Sequence, residues 1–261
     1  MAGLLDAAFG ADPGRWPLPA ARTPEELWLR AVVAGGAGRY ASAYTDLAAL
    51  RRVRGVGRLA SLAHSTQASF HRQLGWHDRA RGWDGRALAL AGTDRTDTEA
   101  HVDALIGLAA DALGVGRFAA SARALSRVRD LLQAEHTRQG VRLAWVSAEL
   151  SMATGDGAAA VVSAEHAVAL AADFGSARHA VKSDVVLAAA LCSAGRLDRS
   201  REVADATLAT SRRLGLLPLS WALSCLLAEV GSGTHSGAEI TGIRDECADT
   251  LRRRGGVLLD R

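Results

Sequence analysis

"SAGRLDRS", Ser193–Ser200, reads as a helix end, a glycine turn and the start of a second helix. Glycine adopts positive φ without the steric cost that a Cβ brings, so it commonly closes a helix. The same phrase returns as "GAGRYASA" (36–43), "QLGWHDRA" (73–80), "GVGRFAAS" (114–121) and "ATGDGAAA" (153–160). The turn glycines are Gly38, Gly75, Gly116, Gly155 and Gly195, spaced 37, 41, 39 and 40 residues apart. Self-similarity at such a period is the signature of a helical-repeat array.

Two further columns keep the same register. Seven residues before each glycine stand Ala31, Ala68, Ala109, Ala148 and Ala188, and five after it stand Ala43, Ala80, Ser121, Ala160 and Ser200. Small side chains at both positions predict close crossing of two helices, because a larger residue forces the axes apart at roughly 1–3 kcal/mol per overpacked site. Two residues after each glycine a plug is expected: Tyr40, His77, Phe118, Gly157 and Leu197, with Gly157 the exception.

"TPEE" (Thr23–Glu26) and "TDTE" (Thr96–Glu99) are capping boxes that open helices. "RGVGR" (54–58), "DFGSAR" (173–178) and "RLGLLP" (213–218) separate or end pairs. A degenerate sixth pair is expected over Leu219–Val230 and Ala238–Arg253, as terminal repeats must cap a stack. Residues 1–22, which include Pro13, Pro17 and Pro19, are expected to form an extended tail, leaving 23–261 as one helical domain. Trp16 is placed to pack back onto the first pair, and "WPLP" (Trp16–Pro19) to lie in a groove.

Small residue, glycine turn, plug and small residue at these offsets resemble the tetratricopeptide repeat (TPR), over roughly residues 24–215. The period is nearer 40 than 34, and most consensus Trp/Leu and closing Pro positions are absent. In this the chain is similar to degenerate bacterial regulators of actinobacterial type; HEAT-like arrays share the period. The resemblance implies an all-α fold, a right-handed α-α superhelix of about five helix pairs plus the C-terminal capping pair.

It also implies that the first helix of each pair lines a concave face, with groove positions 13, 10, 6 and 3 residues before each glycine. These positions hold the candidate partner-binding residues Trp28, Ser65, Ser69, Arg72, Asp103, Arg142, Trp145, Glu149, Met152 and Lys182. Val32, Leu62, Ile106, Ala110, Val185 and Ala189 share the register. Offsets of three, four and seven stay on one helix face. Arg142 and Lys182 beside Trp145 and Met152 suit a peptide with an acidic group and an apolar anchor. Trp145 also fits a core position, and Arg142 and Lys182 fit solvated charges.

Composition narrows the function classes. The 261 residues are 49% hydrophobic and 23% charged, which is a foldable balance. Net charge is +3, too small to argue for nucleic acid by itself, and Lys182 is the sole lysine. Arginine runs at 51–58 and 252–254 match helix C-termini, where cations complement the macrodipole, better than a nucleic-acid surface. Cys192, Cys225 and Cys247 form no CxxC pair. The N-terminus lacks a signal-peptide pattern and no long uninterrupted apolar run is evident, so a cytoplasmic protein is expected. No P-loop, GxSxG or HExxH motif is present, so neither an enzyme nor a cofactor is expected. His64, His71 and His77 fall on packing positions rather than as metal ligands. The expected function is a protein-interaction scaffold binding a partner peptide in the groove. The alternatives are a regulatory module that senses a ligand or a peptide and acts on a separate effector, and an arginine-mediated nucleic-acid binder.

Overall fold

The computed structural model describes residues 1–53, 57–92, 98–132, 134 and 136–259. Among them lie thirteen helices and no strand. After α1 (Ala2–Phe9) come α2 (Pro24–Gly36), α3 (Tyr40–Arg52), α4 (Arg58–Gln73), α5 (His77–Ala91), α6 (Thr98–Gly114) and α7 (Phe118–Leu131). They continue with α8 (Arg138–Ala153), α9 (Gly157–Phe174), α10 (Ala177–Ser193), α11 (Leu197–Arg213), α12 (Leu217–Val230) and α13 (Gly237–Arg253).

All five turn glycines take positive φ, from 71° at Gly38 to 91° at Gly75. In each turn the residue after the glycine donates its N–H to the carbonyl five positions back, at 2.7–2.9 Å: Arg39 to Ala34, Trp76 to His71, Arg117 to Ala112, Asp156 to Ser151 and Arg196 to Leu191. These bonds satisfy carbonyls that a helix end leaves open. Gly215 and Gly255 close α11 and α13 in the same way.

Both small-residue columns lie in the helix crossings. All ten of their residues are fully buried. Ser200 Oγ donates to the Ala188 carbonyl at 2.8 Å, joining the two columns directly. The plug column behaves otherwise. Tyr40 is buried and its hydroxyl bonds Gln73 at 3.0 Å, but Phe118 and Leu197 are exposed. Gly157 has a reason of its own: a Cβ there would stand 2.7 Å from Ala194 Cα, backbone of the following turn.

Each helix packs on its chain neighbour, and α2, α4, α6, α8, α10 and α12 also pack on one another in sequence. The second helices have no comparably extensive contact with each other. First helices therefore form one layer and second helices another. Thr23 Oγ1 caps α2 by accepting from Glu26 N at 3.2 Å. Thr96, in the second expected capping box, and Arg54 to Val56 lie outside the described residues. Ser236 and Glu239 form a complete capping box at α13.

The two ends of the array meet. Ala41 N donates to the Arg254 carbonyl at 2.9 Å, and the Arg254 guanidinium donates to the Ala37 carbonyl at 3.1 Å. Residues beyond α13 continue across two turns: Trp76 Nε1 donates to the Val257 carbonyl, and Leu259 N to the Leu74 carbonyl.

Residues 1–22 are not wholly extended, since 2–9 form α1. An eight-residue helix is too short to hold alone in water. It is held by one face, with Leu4, Ala7 and Ala8 buried against α2 and near α10, while Leu5 stays exposed. "WPLP" does not enter the inner face in place of α1. Trp16 lies under the Arg39 guanidinium, 4.1 Å away, and the Pro19 carbonyl accepts from Arg30. Among the described residues one helix, α9, is long and apolar enough by length and composition to cross a membrane. Its buried residues, from Ala160 to Ala171, pack on α8 and α10.

Candidate functional site

The layer of first helices supplies most of the lining of an open cavity of about 490 Å³. Nine of the ten sequence candidates line it: Trp28 from α2, Ser65, Ser69 and Arg72 from α4, Asp103 from α6, Arg142, Trp145 and Glu149 from α8, and Lys182 from α10. Val32 and Ala110 line it too, whereas Leu62 and Ile106 are fully buried core. Met152 is the candidate that misses. It packs on the core cluster around Ala148, Ala160 and Val186 instead.

The walls are aromatic and ionic. Trp28 donates its indole N–H to Thr66 Oγ1 at 3.0 Å, and Trp145 donates to Ser183 Oγ at 2.8 Å. These bonds fix both rings, leaving their faces as apolar surface. His179 stacks on Trp145 at 5.4 Å and meets Phe174 edge-on. Trp221 of α12 adds a third indole.

The charges expected to greet an acidic partner are already matched. Arg142 is bonded to Asp103, and Lys182 to Glu149 at 3.2 Å. Asp103 also takes Arg138 at 3.0 Å, so it is a buried counter-ion rather than a free contact. Burial acts against its charge, but Arg138 and Arg142 outweigh that and hold its carboxyl below the usual range. Arg72 is gripped by Asp84 and by Asp111, the latter at 2.9 Å. Burial opposes its charge, yet the two carboxylates raise its pKa. Asp84 is pushed up to about 7: burial raises it most, Asp111 adds to the rise, and Arg72 offsets only part of it. Two carboxylates share one guanidinium there, which with burial favours the protonated form of Asp84.

Arg138, Arg178, His179, Phe9 and Trp221 also line the cavity and were not among the candidates. The repeat register does hold a signal for two of them. Seventeen residues before Gly75, Gly116, Gly155 and Gly195 stand Arg58, Glu99, Arg138 and Arg178. That is one helical turn beyond the earliest groove position considered. Glu99 bridges its two neighbours in the column, taking Arg58 at 2.7 Å and Arg138 at 3.3 Å. Arg178 has no carboxylate partner among the described residues. Its buried Nε makes no hydrogen bond, and its Nη2 reaches only the Ala8 carbonyl, at 3.5 Å. Burial, then Arg138 and Arg142, pushes it down to about 10.

Phe9 is α1's contribution. Its ring lies 5.6 Å from Trp28 and 6.2 Å from His179, with the Arg138 guanidinium 5.7 Å away. Ser65 Oγ and Arg72 Nη2 are further buried polar atoms in the lining without a partner. The expected packing roles of two histidines are clear: His64 and His71 lie against Trp83, and His71 also against Tyr44. Among the described residues no three His, Cys, Asp or Glu side chains cluster as metal ligands. The chain matches no protein-family model, and no curated protein matches it.

Proposed function

We propose that this protein is a ligand-sensing regulatory module: it binds a small molecule in the inner cavity and acts on a separate effector without turnover. The repeat columns support a TPR-like right-handed superhelix as its framework, in a cytoplasmic protein. The observation that carries the reading is the cavity of about 490 Å³, open on one side and walled by three tryptophans and a few fixed charges. Small-molecule sites are commonly of this volume, mostly apolar, with few convergent polar groups. Contact between the two ends of the array argues against a channel open along its length, which an extended partner would need.

A peptide-binding adaptor is the second reading, and one observation favours it. The chain's own α1 is a short helix seated by its apolar face on the inner layer, as a helix-in-groove partner would be. The arginine clusters lend nucleic-acid binding little support. Arg51 lies on Trp83 and bonds Gln67, Arg58 holds Glu99, and Arg252 holds Asp249.

Ligand titration tests the cavity directly, and Trp28, Trp145 and Trp221 face it as near-UV reporters. The probe is indole, titrated into wild type and into Ala110→Trp, with binding read by calorimetry and by near-UV dichroism. Saturable binding to wild type that the filled variant loses supports the reading. Binding unchanged in Ala110→Trp, or none to either protein, overturns it.

A further inference from the structure

We propose that Arg178 is the anchor for an oxyanion, a carboxylate or phosphate, carried by the apolar ligand of the inner cavity. This rests on the cavity reading above and specifies its chemistry.

Three observations converge. First, Arg178 is the cation of the lining that no carboxylate matches among the described residues: Arg72, Arg138, Arg142 and Lys182 each hold at least one. Its neighbours Arg138 and Arg142 add positive field. A planar guanidinium fork is suited to bidentate capture of carboxylate or phosphate.

Second, Arg178 occupies the first turn of α10, where the macrodipole disfavours a cation and favours an anion. Ser176 does not cap this helix with its side chain; its hydroxyl meets His179 Nδ1 at 2.9 Å instead. The Ala177 N–H is taken by the Gly10 carbonyl. An anion beside Arg178 would therefore offset both the guanidinium and the helix end.

Third, the side chain is positioned rather than loose. It crosses from α10 to α2, where a Cβ on Gly36 would stand 2.9 Å from Arg178 Cδ. The missing side chain at Gly36 leaves the path for the arginine stem. At the far end the Ala8 carbonyl, from the C-terminal turn of α1, offers a partial negative charge at 3.5 Å. A full oxyanion is a stronger acceptor for a guanidinium than a carbonyl is. Ligand binding would thus compete with the last turn of α1 for Arg178.

The test compares indole-3-acetate with its neutral isostere indole-3-acetamide, and phenyl phosphate as the phosphoryl arm, by calorimetry on the full chain. The expected result is that wild type prefers the acetate to the amide by about tenfold or more, since a charged partner roughly doubles a hydrogen bond. Arg178→Met should remove that preference. Arg178→Lys, which retains charge without the fork, should keep part of it. Phenyl phosphate exceeding the acetate would identify the oxyanion as a phosphoryl group. Hydrogen exchange of residues 2–9 should rise with the acetate and not with the amide. If acetate and amide bind wild type equally, or Arg178→Met retains the preference, the anchor is wrong although the cavity reading stands. If no indole binds, both fall.

Discussion

Arg72 and Arg178 line the same cavity from different first helices, and their surroundings are opposite. Arg72 is locked by Asp84 and Asp111, one from its own pair and one from the next. Arg178 has two arginines nearby and only the carbonyl of α1 to bond. A buried charge held by hydrogen-bonded counter-charges is part of the wall. A charge with buried nitrogens and only a long carbonyl contact carries a desolvation penalty that the fold offsets little. The contrast separates what the cavity needs to stand from what it holds ready for a ligand.

The largest effect that sharpens this contrast is expected at Arg72. Arg72→Met leaves two carboxylates buried without their cation, and should lower stability by about 3–5 kcal/mol in urea unfolding. A loss under about 1 kcal/mol would mean that the wall does not depend on the pair. Arg178→Met is expected to act the other way. Removing an unmatched buried cation should leave stability unchanged or raise it by on the order of 1 kcal/mol. A clear loss in that variant would reveal a partner for Arg178 and erase the contrast.

A third test lies in pH dependence. Asp84 is raised to about 7 from an ordinary value of 3.8, so the folded protein binds the extra proton between those values. Stability linked to Asp84 is complete below about pH 4 and is lost as pH rises through about 7. Asp84→Asn should flatten that part of the stability profile. An unaltered slope in the variant would show that the carboxylate titrates normally.

The fold was legible where local geometry dictates residue type. A tight helix exit calls for glycine, and a close crossing calls for a small side chain, so Gly195, Ala188 and Ser200 announce themselves. The nine candidates that reached the cavity follow from the same register. The helix α1 was not legible, because "AGLLDAAF" is too short to display a period and depends on packing against α2. Phe118 and Leu197 misled because a bulky apolar residue after a turn need not be covered.

The charge pairing was partly legible. Arg142 and Asp103 are 39 residues apart, as are Arg138 and Glu99 and also Arg72 and Asp111. Such partners sit at matching or nearby positions of adjacent units. Read down the stack, the column Arg58, Glu99, Arg138, Arg178 alternates once and then places two cations in succession. Met152 and Lys182 show the limit of that reading. The register assigns a face, but whether a side chain on it turns into the core or finds a glutamate depends on contacts the sequence does not order.

The bond between Arg254 and Ala37 spans 217 positions. An open array unravels from its ends, each terminal unit with its own local opening energy. Here the first and last pairs hold one another, so neither has a free end from which to fray. Opening α13 removes support from the Ala37–Ala41 turn, and opening α2 removes it from Arg254. The contact that closes the array thus places α2 and α13 in one cooperative unit. A protein read as a string of local hairpins is expected to unfold more cooperatively than an open array would.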